Sequence, residues 1–191
     1  MNIIGRNLST AGNVFALVAY GSITPPFARL MFAAFDDGTI VWSGDRTQGG
    51  APYFTAAIGR DRLLDALAGL ESDGLFSELP LVNFGVPGSE CSSFIVRKGE
   101  KAFKLDACHE LFEASGKCVA EHHEIVPLGT GQRFQVLSRQ PNDYIFFRMI
   151  WLELRRMMEN LIPGTEQHCE GQLEMLHAEF RWLPELGEPK R

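Results

Sequence analysis

The spacing of apolar and polar positions changes period several times along the chain, and each change marks an element. Val14 to Tyr20 is an uninterrupted apolar run that predicts a short buried strand. Thr24-Pro25-Pro26 ends it, because two prolines cannot sit inside a paired strand. Phe27 to Phe35 and Thr39-Ile40-Val41-Trp42-Ser43 flank Asp36-Asp37-Gly38. Asp-Gly between two such runs predicts a hairpin, since the turn needs φ > 0 and glycine adopts it without strain. The nearly continuous apolar character of Leu30 to Phe35 predicts a strand covered on both faces. A loop with Gly49-Gly50 follows, then a third strand over 53–58. The period then becomes helical: Leu63, Leu67 and Leu70, with Leu64, fall on one face of a helix over 60–73. Gly74 supplies the left-handed residue that closes it, and Leu75-Phe76 return to the sheet.

The second half repeats the layout without repeating the residues. Cys91 to Arg97 predicts a strand with Phe94 and Val96 on one face and Ser93, Ile95 and Arg97 on the other. Lys98-Gly99-Glu100 is the turn, and Lys101 to Leu105 alternates as its partner. Asp106 is expected to cap a short helix over 107–115. A further strand is expected over 118–123, a turn over 127–131 and irregular chain over 132–138. Asn142 or Asp143 caps a long helix that Pro163-Gly164 stops after Leu161. Phe147, Trp151, Leu154, Met158 and Leu161 form its main apolar stripe. Ile145, Met149 and Leu152 form a second stripe, so the first three turns are expected to be buried nearly all round. Over 169–183 the alternation shifts phase, which a β-bulge would produce, with a helix as the competing reading.

These elements predict an α+β fold: a mainly antiparallel sheet of about 5–7 strands packed against two main helices, 60–73 and 143–161. The expected organisation is one domain over 1–191 with loosely ordered ends at 1–13 and 184–191.

Several of these motifs resemble an uncharacterised bacterial domain family of hairpin–helix–hairpin layout. The matching residues are Asp37-Gly38-Thr39-Ile40-Val41, Leu63-Leu64-x-x-Leu67-x-x-Leu70, Gly74-Leu75-Phe76, the Gly99-Glu100-Lys101 turn and Leu161-Ile162-Pro163. The resemblance covers roughly residues 25 to 163. It implies the fold and transfers no activity and no catalytic residue.

Composition narrows the function classes. Apolar residues make up 45% of the chain and charged residues 22%, with 14 Phe, 3 Trp and 3 Tyr. That is enough to fill a core and argues against disorder over most of the length. Lys and Arg number 18 against 24 Asp and Glu, a net charge of −6. The basic residues cluster only at Arg148, Arg155 and Arg156 and at Lys190-Arg191. No basic stripe follows a phosphate backbone, so no nucleic-acid partner is expected. No segment reaches the ~20 apolar residues of a membrane span. Four scattered cysteines, 91, 108, 118 and 169, are too sparse for a disulfide scaffold and predict a cytoplasmic location.

The residues with most chemical potential are Cys108, His109, Cys118, His122 and His123. Thiolate and imidazole are zinc ligands, but no Cys-x2-Cys pair occurs among them. On an extended chain Cys118 and His122 are ~13 Å apart, since each residue advances ~3.3 Å. Two ligands of one tetrahedral ion lie within ~4 Å of each other. No metal and no other cofactor is therefore expected, with Cys118, His122 and His123 the nearest candidates. His168, Cys169 and His177 would complete a site only through a tertiary contact. Cys108 is a candidate nucleophile, at a helix start and next to His109, yet an i+1 neighbour on a helix points away. No phosphate loop, no Gly-x-Ser-x-Gly elbow and no acid pair across a cleft is present. The expected function is a non-catalytic binding or interaction module whose partner is another protein or a second copy. The alternatives are a metal- or thiol-dependent enzyme using 108–123, and binding of a small apolar ligand between the sheet and helix 143–161.

Overall fold

A computed structural model describes residues 12–21, 27–76, 89–115, 117–119, 125–127, 142–170, 172–176 and 179–183. The order of elements follows the changes of period. Strands β1 (Asn13–Tyr20), β2 (Ala28–Phe35), β3 (Thr39–Ser43) and β4 (Tyr53–Ala57) precede helix α1 (Arg60–Ser72). The hairpin of β5 (Cys91–Lys98) and β6 (Lys101–Ala107) leads into the short helix α2 (His109–Ala114). Then come β7 (Lys117–Val119), β8 (Ile125–Pro127) and the long helix α3 (Asn142–Leu161). Strands β9 (Gln167–Cys169), β10 (Gln172–Leu176) and β11 (Glu179–Leu183) complete the described chain.

Seven strands form one sheet in the order β6-β5-β1-β2-β3-β4-β9. Every neighbouring pair in it is antiparallel. The fold is α+β, with helices on one face of this sheet. Leu63, Leu67 and Leu70 of α1 join Phe147, Trp151, Leu154, Met158 and Leu161 of α3 in one core with Phe15, Phe32, Trp42 and Phe94 of the sheet. The opposite face is a second core of Val14, Ala16, Val18, Leu30, Ala33, Val41, Tyr53 and Ile95. Strand β10, paired with β11, lies against β2. Since α1 and α3 hold the first face, this hairpin lies on the second, over β2.

Local chemistry sets the joints. Gly38 turns the β2–β3 hairpin at φ 78°, and its amide donates to the Phe35 carbonyl 2.8 Å away. Its Cα also lies against the start of α1: a Cβ there would fall 2.4 Å from the Gly59 carbonyl carbon. Helix α1 ends as expected at Gly74, φ 85°. The Leu75 amide donates to the Leu70 carbonyl and the Gly74 amide to that of Glu71, each at 3.0 Å, which is a Schellman closure. Glu71 then ties α1 to the β5–β6 hairpin through Lys98 and Lys101. The β1–β2 pairing shifts between Leu17 and Val18, so Met31 is an extra residue in β2. Met31 and Phe32 therefore both enter the helix-side core. The Gly50 amide bonds the Leu30 carbonyl beside this bulge at 3.1 Å.

Several expectations are corrected. Asn13 is not part of a loose end: it opens β1, and its side-chain amide donates to Asp36 at 2.5 Å. Asp106 caps no helix; it continues the alternation of β6, with Leu105 and Ala107 in the core and Lys104 3.2 Å from its carboxylate. Helix α2 starts two residues beyond the expected position, after Cys108, without a side-chain cap. The second stripe of α3 is not buried, with Met149 63% and Leu152 56% exposed, because among the described residues the helix has packed neighbours only on its Phe147–Leu161 side. The Ile145 side chain lies outside the described residues. The strand expected over 118–123 is described only to Val119, where β7 pairs with β8, Cys118 opposite Val126. The segment 169–183 is neither a helix nor one bulged strand. It is the end of β9 followed by a hairpin in which Leu176 opposes Glu179, and a two-residue connection shifts the phase just as a bulge would. The ends 1–11 and 184–191, and the expected irregular chain over 132–138, lie outside the described residues.

Candidate functional site

Two groups of reactive side chains flank the sheet, one on each face, and they part at the consecutive residues Cys108 and His109. On the helix side, α2 lays His109, Glu110 and Glu113 against α3. His109 is fully buried, its ring edge-on to Phe147 at 5.0 Å and to Trp151 at 4.9 Å. Neither ring nitrogen has a hydrogen-bond partner among the described residues. Burial pushes its pKa down to about 3, and the Arg148 charge adds to the effect, with Glu110 opposing. The imidazole is therefore neutral at physiological pH.

Glu110 is the anchor beside it. Its Oε1 accepts from Trp151 Nε1 at 2.8 Å and from Arg155 Nε at 3.1 Å, and Oε2 accepts from the same guanidinium. Burial raises the Glu110 carboxyl, but the Arg155 hydrogen bond and charge, with the Trp151 N–H, outweigh it and hold the group below the usual carboxylate range. Arg155 Nη1 also donates to the Arg46 carbonyl at 3.2 Å, and Arg46 pairs with Glu159. Arg148 pairs with the largely buried Glu113 at 3.0 Å. Two of the clustered arginines, Arg148 and Arg155, are thus spent on carboxylates of α2, and Arg156 pairs with Glu153 on α3 itself. This region is a polar joint between two helices, not an open site.

On the other face, the register aligns Tyr20 with Cys91 and Ser93 with Asp106. Lys104 lies 5.4 Å from the centre of the Tyr20 ring. Burial raises the Tyr20 hydroxyl well above the usual tyrosine range, and Asp106, Cys91 and Cys108 raise it further. Cys108 is 2% exposed and Cys91 half-buried. The Ser93 hydroxyl is buried with no hydrogen-bond partner among the described residues. This corner holds a phenol, two thiols, a hydroxyl, an ammonium and a carboxylate within three adjacent strands.

Cys108 and His109 turn to opposite faces of the sheet, as their i, i+1 spacing implies. The Cys118 side chain, His122, His123 and His177 lie outside the described residues. His168 and Cys169 sit on the edge strand β9, His168 edge-on to Phe54 at 6.2 Å. Among the described residues, no group of three His, Cys, Asp or Glu side chains could hold a metal ion. None of the described helices is long and apolar enough to cross a membrane.

The sequence reading missed the Glu110–Arg155 and Glu113–Arg148 pairs, which join residues far apart in the chain and leave no local signal. Compared with protein-family models, with curated proteins and with solved structures, the chain shows no match.

Proposed function

We propose that the protein is a non-catalytic interaction module whose contact face is the outer side of α3, and that its partner is a second copy of the chain. The observation that carries this reading is the contrast within one helix. Phe147, Trp151, Leu154, Met158 and Leu161 are at most 3% exposed, whereas Met149 and Leu152 stand more than half in solvent. Large apolar side chains kept on an exposed helix face favour burial against another surface. Glu153 and Arg156, paired with each other at 3.1 Å on the same exposed face, put both signs of charge there. A face with both signs is self-complementary across a twofold axis. Two observations weigh against the alternatives. Trp151 and Phe94, with ring centres 4.8 Å apart, fill the seam where a small apolar ligand would lie. The divergence of Cys108 and His109 separates a thiol from the imidazole next to it in the chain. A cytoplasmic location and membership of the uncharacterised bacterial domain family belong to the same proposal, supported by the four scattered cysteines and by the fold-specifying motifs.

The test is light scattering of the full chain across a hundredfold range of concentration. A dimer population that grows with concentration and is lost in Met149→Glu/Leu152→Glu, with the melting temperature unchanged, is the expected result. A monomer at every concentration would remove the self-association reading, and a dimer indifferent to the double substitution would remove α3 as its contact face.

A further inference from the structure

The β5–β6 hairpin has a two-residue turn, Gly99-Glu100, with Lys98 opposite Lys101, and it stays in strict register to Ser92 opposite Ala107. One step further, that register sets Cys91 level with Cys108. Cys91 is still paired on its other side, opposite Tyr20 of β1. Cys108 has a φ of −113°, within the extended range, so its Cβ keeps the strand's alternation, and only its ψ of 2° turns the chain into α2. Residues 104, 106 and 108 share one side of β6 by alternation, and so do 91, 93 and 95 of β5. Both thiols therefore fall on the face that carries Tyr20. Directly opposed residues of an antiparallel pair have Cα atoms ~4.5 or ~5.5 Å apart, and a disulfide accepts ~4.4–6.8 Å. Neither cysteine is in a disulfide here.

We propose that Cys91 and Cys108 are a peroxide-responsive thiol pair that closes a cross-strand disulfide. Cys91, the half-buried member, meets the oxidant; Cys108, 2% exposed, resolves it. The Cys91 sulfur attacks one oxygen of hydrogen peroxide, the O–O bond breaks, water leaves and a sulfenic acid forms. The Cys108 sulfur then attacks the Cys91 sulfur. An S–S bond forms, the S–O bond breaks and a second water leaves, carrying the Cys108 proton. Two thiols lose two electrons and the peroxide gains them. The closed bond would fasten β6, an outer strand of the sheet, to β5 at the residue before α2. It would thereby fix the entry to the helix that carries His109, Glu110 and Glu113. This inference is independent of the self-association reading, since α3 takes no part in the pair.

The experiment uses the full native chain. It is exposed to hydrogen peroxide, its remaining thiols are alkylated, and it is digested with trypsin without reductant. Each of the four cysteines falls in a different tryptic peptide: 63–97, 105–117, 118–133 and 157–181. The expected result is a chain lighter by two hydrogens, with peptides 63–97 and 105–117 joined and released by reductant. In Cys108→Ala, Cys91 should instead gain two or three oxygens, having lost its resolving partner. Three results in the native wild-type chain would overturn the proposal: oxygen gain at Cys91 without cross-linking, a bond from either cysteine to Cys118 or Cys169, or joining only after denaturant is added. The wild-type measurement stands by itself if the variant does not fold.

Discussion

The two faces of the seven-stranded sheet are built from side chains of different size. Facing α1 and α3 are Phe15, Phe32, Trp42 and Phe94, met by Phe147 and Trp151 of α3; facing the other way, Val14, Ala16, Val18, Leu30, Ala33, Val41 and Ile95 are aliphatic, with Phe35 and Tyr53 the aromatic members. Aromatic side chains bury ~150–250 Å² each, so the helix side carries most of the apolar burial. Small side chains on the other side let a two-stranded hairpin approach where a helix would leave a gap. The faces differ in polarity too. The helix side admits one buried imidazole, while the other accommodates Tyr53, whose hydroxyl burial pushes up to about 12, and Ser93.

The contrast can be broken most directly by truncation. Trp151→Ala should destabilise the chain by ~3–5 kcal/mol in urea titrations, and it also leaves Glu110 without one donor. Val41→Ala, on the other face, should cost ~2 kcal/mol, from ~0.8 kcal/mol per methylene-sized group removed. Equal losses would mean that the two faces contribute alike.

Gly38 tests how the helix layer is joined to the sheet. A side chain there meets both the positive φ and the backbone of Gly59 and Arg60, so Gly38→Val should cost more than ~2 kcal/mol. Gly99, also at positive φ but with nothing within 4 Å of a Cβ, serves as the control. Gly99→Ala should cost ~1 kcal/mol, for the conformation alone. A thermal melt of Gly38→Val matching the wild type would refute the close approach.

His109 tests a fully buried polar group on the helix side. Its pKa is about 3 in the folded chain against about 6.5 unfolded, so the unfolded chain binds the proton first. Its contribution is complete above pH 6.5 and falls away as the pH drops towards 3, by up to ~1.4 kcal/mol per pH unit. At pH 5 the loss should be ~2 kcal/mol by the same linkage. His109→Phe should flatten that part of the stability profile; an unchanged slope would mean the imidazole is protonated in the fold. The smallest effect is expected from chelation. Protein purified without an affinity tag should hold no stoichiometric zinc, and excess chelator should leave its melting temperature unmoved. A fall of ten degrees or more would restore Cys118, His122 and His123 as ligands.

The hairpins were readable because Asp37-Gly38 and Gly99-Glu100 declare their turns, and a short turn fixes a register by arithmetic. That arithmetic already sets Cys91 against Cys108, a pairing open to anyone who extends the hairpin to its end. The buried stripe of α3 was equally plain, since 4-3-4-3 spacing has one structural meaning. What the sequence did not show is how many neighbours a helix has. Met149 and Leu152 have the apolar character of core residues, and only the packing among the described residues, which leaves their side of α3 uncovered, exposes them. Asp106 before a helical stretch looked like a cap because local signals carry no knowledge of the strand partner that extends β6. The phase shift near residue 176 had two causes of equal pattern, a bulge and a turn. The Arg148 and Arg155 pairs depend on the approach of two helices and have no local trace.

Strand β9 has a consequence for the order in which the fold is assembled. It closes one margin of the sheet by placing residue 169 opposite residue 53, so this pairing waits for more than a hundred further residues to be synthesised after β4. Until then β4 offers unpaired amides and carbonyls, and the aromatic surface that α3 will cover is open to other chains. Non-local pairings of this kind slow folding, and exposed strand edges invite association between nascent molecules. The most vulnerable moment for this protein is therefore on the ribosome, and its yield should depend on chaperone supply more than its final stability does.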